Sequence, residues 1–111
     1  MELKKVAIAG TLESSDVHVT IEPNDGNGIE LSIKSSVLRQ YGKQIRKVVL
    51  ETLDNLGVTD ARVNIVDKGA LDCTIRARVE GAVYRSIGQY DNIPWGSELN
   101  KQGGAAGNES K

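Results

Sequence analysis

Two hydroxyls stand side by side at Ser14 and Ser15, with Glu13 before them, Asp16 after them, and Gly10-Thr11-Leu12 leading in. A segment of this kind has two readings. Serine and aspartate side chains close turns by bonding to nearby backbone. A serine hydroxyl on an exposed loop is also what a transferase must reach to attach a group covalently. Other reactive side chains are few. His18 alternates with Val17 and Val19, which puts it on the polar face of a strand. A single imidazole with no placed partner is a weak sign of catalysis. Cys73 sits in an apolar pattern and reads as a small buried hydrophobe. The reactive-thiolate alternative would draw on Arg76, one helical turn away. Asp67-Lys68-Gly69 and Asn27-Gly28 read as turns, with no phosphate-loop spacing around either.

A second constellation is electrostatic. Arg39, Lys43, Arg46 and Lys47 follow one another at helical spacing, and no acidic residue occurs from Leu31 to Leu50. This is either a solvated face or a docking surface for an acidic partner or for phosphates.

The inventory narrows the function classes. The chain has 111 residues, 14 Lys and Arg, 15 Asp and Glu, and a formal net charge of -1. That balance argues against a dedicated nucleic-acid binder, which carries a basic excess. One Cys and one His exclude an internal disulfide framework and a zinc cluster, so no metal site is expected. No residue is assigned a catalytic role. No apolar run is long enough for a signal peptide or a membrane span, and the cytoplasm is the default compartment for such a chain.

Hydrophobic periodicity supplies the elements that position these residues. Val6 to Gly10 reads as a strand. Val17, Val19 and Ile21 alternate with polar residues as a second, which makes residues 11–16 a hairpin connection. The turn signal Pro23 to Gly28 precedes a third strand at Ile29, Leu31 and Ile33. From Ser35 the period becomes helical and runs through Val37, Leu38, Tyr41, Ile45, Val48, Val49, Leu53 and Leu56. Ser35 or Ser36 is the expected N-cap and Gly57 the C′ glycine. Val63 and Ile65 form a fourth strand. Leu71 to Ile87 fits both a strand and a helix; the longer stripe of Leu71, Ile75, Val79, Ala82, Val83 and Ile87 predicts a helix. The expected fold is α+β, a single domain with a small antiparallel-rich sheet of about four strands and two helices packed on one face.

Two blocks of this sequence resemble a known family. Ala7-Ile8-Ala9-Gly10-Thr11-Leu12-Glu13-Ser14-Ser15-Asp16 is similar to the N-terminal signature of the acyl carrier (gamma) subunits of citrate lyase. Val66-Asp67-Lys68-Gly69-Ala70-Leu71-Asp72-Cys73-Thr74-Ile75-Arg76-Ala77-Arg78 resembles that family's second signature, and Glu51 to Val58 fits between them as a helix end. The resemblance covers roughly residues 1 to 87.

The resemblance implies a non-catalytic carrier. Ser14 would bear a covalently attached CoA-like group, 2′-(5″-triphosphoribosyl)-3′-dephospho-CoA, whose thiol holds acetyl and citryl thioesters while citrate is cleaved to acetate and oxaloacetate. The implied partners are an alpha subunit that transfers the acyl group, a beta subunit that cleaves citryl thioester, and a prosthetic-group transferase, with no nucleic acid and no membrane. Glu13 and Asp16 are candidates to support attachment, and Arg39, Lys43, Arg46 and Lys47 are candidates for docking. Residues 1–95 would form the carrier domain and 96–111 a disordered tail. The related alternatives are the carriers of citramalate lyase and malonate decarboxylase. Outside that class stands a small protein-interaction module in which Ser14 merely closes a turn.

Overall fold

Alternating apolar residues in four short segments, and one apolar stripe on each of two longer ones, assemble into a two-layer α+β structure. In the computed structural model, which describes residues 2–88, the chain runs β1 (Ala7–Gly10), β2 (Val17–Glu22), β3 (Ile29–Ser35), α1 (Leu38–Asn55), β4 (Ala61–Asp67) and α2 (Asp72–Ser86). The expected tail at 96–111 lies outside the described residues, as do residues 89–95.

The sheet order is β1-β2-β4-β3. β1 pairs antiparallel with β2, and β2 with β4. β3 pairs parallel with β4, as it must when a helix carries the chain from one strand to its neighbour. Both helices pack on the face that presents Val17, Val19, Ile21, Val63 and Ile65, all of them essentially inaccessible to water. Full burial of each such side chain contributes about 1.5–3 kcal/mol. α2 crosses β1 and β2, while α1 lies against β3 and α2. The opposite face bears the alternate residues, among them Ile8, His18, Thr20 and Arg62.

The helix choice for the last segment is confirmed: Ile75, Val79, Ala82 and Val83 are buried. Three details of the sequence reading are corrected. Cys73 is exposed, because on a helix it falls off the Ile75–Val79–Val83 stripe; only strand alternation would have buried it. Leu71, expected on that stripe, is the N-cap of α2 and 71% exposed. The N-cap of α1 is Val37, with no side-chain cap, rather than Ser35 or Ser36. Ser35 belongs to β3 in register with Asp67. Its hydroxyl donates to Asp67 Oδ2 at 2.9 Å and accepts from the Val37 N–H at 3.1 Å, so it is spent just upstream of the helix. The other end of α1 is as expected. Gly57 has φ +73°, its N–H donates to the Asp54 carbonyl, and the Val58 N–H donates to the Leu53 carbonyl. This is the Schellman pattern, which favours glycine at C′.

Asp67 is 2% exposed and fully partnered. Besides Ser35, the N–H groups of Gly69 and Ala70 donate to it at 3.2 and 3.0 Å. A buried carboxylate so satisfied fixes the path of the β4–α2 connection.

Gly10 ends β1 with φ +88°, and a Cβ added there would lie 1.8 Å from the Val17 carbonyl oxygen. Neither the conformation nor the space admits a side chain. Gly10→Ala is expected to cost about 3 kcal/mol, read as a lowered midpoint of urea unfolding. An unchanged midpoint would show that the hairpin can shift without penalty.

Candidate functional site

The β1–β2 connection, residues 11–16, lies at the end of the sheet where both helices begin, because Gly10, Val17, Asp67 and Ser35 are all strand ends there. It is held in one shape from two sides. The Ser15 N–H donates to the Lys68 carbonyl at 2.8 Å, and the Lys68 N–H donates to the Asp16 carbonyl at 2.9 Å. These two bonds extend the β2–β4 ladder by one step beyond the last strand pair, Val17 with Asp67. Within the loop, the Asp16 N–H donates to the Glu13 carbonyl at 3.2 Å.

Asp16 is the second anchor. Its carboxylate accepts from the Thr11 hydroxyl at 2.6 Å, the Thr11 N–H at 3.1 Å and the Val17 N–H at 2.7 Å. Arg78 on α2 adds a bidentate pair, Nε to Oδ1 at 3.1 Å and Nη2 to Oδ2 at 3.0 Å. The Thr11 hydroxyl accepts in turn from the Glu13 N–H at 3.2 Å. The Thr11 hydroxyl bond, with further help from Arg78 and the Val17 N–H, lowers the Asp16 carboxyl from the ordinary 3.8 to about 2, against an opposing desolvation. Bidentate Arg–carboxylate geometry specifies orientation as well as charge. Both ends of the loop are therefore tied to the body of the fold.

What remains at the tip is Ser14. Its side chain is exposed and makes no hydrogen bond among the described residues, and the same holds for Glu13. Ser15, also exposed, takes the left-handed conformation with φ +65°, rare outside glycine, asparagine and aspartate. That conformation lets the Ser15 N–H turn in toward Lys68 while the chain reverses. The turn-closing reading thus applies to the backbone of Ser15 and the side chain of Asp16. It leaves the hydroxyls of Ser14 and Ser15 exposed and unbonded among the described residues, on a loop tied to the body of the fold at both ends.

The candidates at 13 and 16 share a loop but do different things. Glu13 faces solvent, whereas Asp16 is turned into the fold toward Arg78. Among the described residues no group of three or more His, Cys, Asp or Glu stands ready to hold a metal. Arg39, Lys43, Arg46 and Lys47 are exposed along α1 and form no ion pair among the described residues. They are not part of the loop. His18, half-buried on the open face, pairs with Gly10 and Val66. Sequence reasoning missed Thr11, Lys68 and Arg78. The last lies 62 positions from its partner Asp16, and no local pattern links them.

Among the described residues no helix is long and apolar enough to cross a membrane. Residues 4–86 match the family profile described as malonate decarboxylase delta subunit (MdcD). The citrate lyase acyl carrier protein of Streptococcus equi subsp. zooepidemicus (strain H70) is 57% identical over 88 residues, 79% of this chain and 86% of that protein. The citrate lyase acyl carrier protein of Vibrio cholerae serotype O1 (strain M66-2) is 57% identical over 95 residues, 86% of this chain and 96% of that one. Among solved structures, a chain of a Pseudomonas malonate decarboxylase hetero-tetramer in complex with malonate superposes with a TM-score of 0.62. It shares 21% identity and covers 77% of this chain and 91% of its own length, a likeness of fold.

Proposed function

The chain belongs to the citrate lyase acyl carrier protein family, and from that premise we propose that Ser14 is the residue on which it carries its group. The donor proposed is 2′-(5″-triphosphoribosyl)-3′-dephospho-CoA: the Ser14 hydroxyl displaces diphosphate and loses its proton, and a phosphodiester then joins Ser14 to the remaining 5″-phosphoribosyl-dephospho-CoA. Bound there, it supplies a thiol that carries acyl groups while partner subunits cleave citrate to acetate and oxaloacetate.

One observation supports Ser14 over its neighbour Ser15, whose hydroxyl is equally exposed and unbonded: the Ser15 backbone is committed, with its N–H on Lys68 and φ at +65°, whereas Ser14 stands free of both constraints. Ser35 and Ser86 are bonded to Asp67 and to Lys5, and Thr11 to Asp16. Ser15 is exposed but carries the strained turn. The protein's own residues thus fit a bulky phosphodiester: the hydroxyl is reachable, and the loop behind it does not have to be ordered anew when a transferase engages it. Lys68 is exposed and its backbone is bonded to Ser15 and Asp16, so a cationic residue adjoins the loop that would carry the phosphodiester. Tethering makes each acyl transfer effectively intramolecular, so the chain needs a stable body and docking faces and no catalytic side chains. The proposed partners are the alpha and beta subunits of citrate lyase and the attaching transferase, in the cytoplasm.

The test is the intact mass of the chain isolated from its natural host. The expected mass exceeds that of the polypeptide by the phosphoribosyl-dephospho-CoA unit that remains once diphosphate has left; a chain of bare polypeptide mass overturns the proposal. The malonate decarboxylase match supports a second reading, the carrier of a related complex. Which subunits co-purify with the chain decides between the two.

The cations of α1 are proposed to dock on a partner subunit. The double charge reversal Arg39→Glu with Lys43→Glu is expected to weaken that association about tenfold and to flatten its salt dependence, as measured by calorimetric titration. Because both side chains are exposed and unpaired, folding is expected to be unaffected. Equal affinity at every salt concentration would remove α1 from the docking surface.

A further inference from the structure

A groove of about 390 Å³ opens between the first turns of α1 and α2, and its outer lip is the β4–α2 connection. Its lining is mostly apolar: Tyr41 and Ile45 from α1, Ala70 and Leu71 from the connection, and Ile75 from α2. Tyr41 is 53% exposed at the mouth, with Leu71 beside it. Its polar lining is Gln44, Asp67 and Asp72: Gln44 Nε2 donates to Asp72 Oδ2 at 2.8 Å, while Asp67 is already occupied by Ser35, Gly69 and Ala70. No Lys or Arg lines it.

Two facts tie this groove to Ser14. The first is distance. The connection that forms the lip is the one bonded to the serine loop, through the Ser15 N–H and the Lys68 carbonyl at 2.8 Å. Following covalent bonds and that hydrogen bond, the Cα atoms of Ser14 and Gly69 are no more than about 10 Å apart. Gly69 presents no Cβ at the lip, and one built there would meet nothing within 4 Å, so the way over it is open. The second is chemistry. A groove of this size is in the small-molecule range; it lacks the cations a diphosphate would call for and offers an aromatic ring at its mouth. With its NH₂ on Asp72, Gln44 keeps its amide oxygen as an acceptor, beside the remaining Asp72 oxygen. Acceptors at the edge of an aromatic-lined slot suit a flat heterocycle with an exocyclic amine.

We propose that this groove seats the adenine of the group on Ser14, stacked on Tyr41 with its amino group toward Gln44 and Asp72. The inference rests on the attachment proposed above. In that group the adenosine follows the serine-linked phosphoribosyl unit, so the base is the first apolar part within reach of the lip. The diphosphate and the thiol-bearing arm lie beyond it and remain outside. The point from which the arm swings is then the groove, and not the serine. That shortens the radius the thiol sweeps and raises its concentration at docked partners.

The experiment compares the loaded chain with Ser14→Ala by NMR, after intact mass has established loading. The expected result is a set of nuclear Overhauser contacts from the adenine ring protons to Tyr41 and to the Leu71 and Ile75 methyls, absent in Ser14→Ala. In loaded Tyr41→Ala the contacts to Leu71 and Ile75 are expected to fall about tenfold, the loss typical of removing one base-stacking ring. Tyr41 is half exposed, so the fold should survive; a second loaded variant, Leu71→Asp, probes the opposite wall from a still more exposed position. Adenine protons that contact no groove residue, or contacts made by the thiol end of the arm instead, overturn the inference and leave the attachment standing. A chain whose mass shows no group on Ser14 overturns both.

Discussion

Ser14→Ala is expected to abolish the added mass completely, and Ser15→Ala to leave it in place. The two serines are neighbours of identical chemistry, so only their settings separate them. Ser14 carries a free hydroxyl, and its replacement removes no bond the fold uses; the stability of Ser14→Ala should stay within about 0.5 kcal/mol of the parent. Ser15 contributes its N–H to Lys68, and alanine keeps that N–H. What Ser15 costs the fold is its φ of +65°. Ser15→Gly should therefore stabilise the chain, by up to about 1 kcal/mol, if relief of the left-handed strain exceeds the added entropy of the unfolded glycine. Loading of Ser15→Ala with no loading of Ser14→Ala is the required pattern, read by intact mass and peptide mapping after expression in the natural host. A group that stays on Ser14→Ala, or leaves with Ser15→Ala while Ser14 remains, overturns the assignment.

Breaking the Asp16–Arg78 anchor should unfasten the loop while leaving the sheet intact. Asp16 is mostly buried, with a side chain 13% exposed, and it accepts from five donors across Thr11, Val17 and Arg78. Asp16→Ala leaves those donors unmatched and is expected to cost about 2 kcal/mol, part of the pair's Coulomb energy being screened because Arg78 is 42% exposed. The same carboxylate sets an acid limb. Its folded-state value of about 2 lies below the ordinary 3.8, so the folded protein binds its proton less readily than the unfolded chain. The stability it contributes is fully present above pH 3.8, begins to go below that, and is lost as pH falls through about 2. Asp16→Asn removes this titration. Its unfolding free energy should be lower than the parent's at pH 6, and the gap should narrow as both approach pH 2. Parallel urea midpoints for the two proteins across that range would show that Asp16 does not fasten the loop. Loading is the functional readout: a free Ser14 on an unfastened loop should accept the group more slowly, although its hydroxyl is untouched.

How far the sequence discloses this arrangement depends on the range of each interaction. Strand alternation at Val17, Val19 and Ile21, the stripe of α1 and the stop at Gly57 are local patterns with local causes, and each stands where the sequence places it. The stripe also decided α2, since Ile75, Val79 and Val83 share a buried face. Cys73 misleads because alternation and helical spacing coincide over Leu71 to Val79, and only the helix leaves it in water. The N-cap of α1 misleads for a different reason: Ser35 has a competing partner, Asp67, across the sheet. The candidate site divides in the same way. The free serine is legible in the Glu-Ser-Ser-Asp run, but what keeps it free is not. Lys68 and Arg78 reach the loop only because α1 returns the chain beside β2 and α2 then folds back over β1.

The same long-range ties impose an order on biosynthesis. The proposed acceptor, Ser14, is made before Lys68 and Arg78, whose bonds to Ser15 and Asp16 shape its loop. Ser86 closes the body by bonding Lys4 and Lys5 from the far end of α2. A nascent chain that has not yet released Arg78 from the ribosome holds the serine but not the surface around it. If the proposed attachment depends on the shaped loop, unfinished and misfolded chains would present Ser14 without the surface that attachment requires.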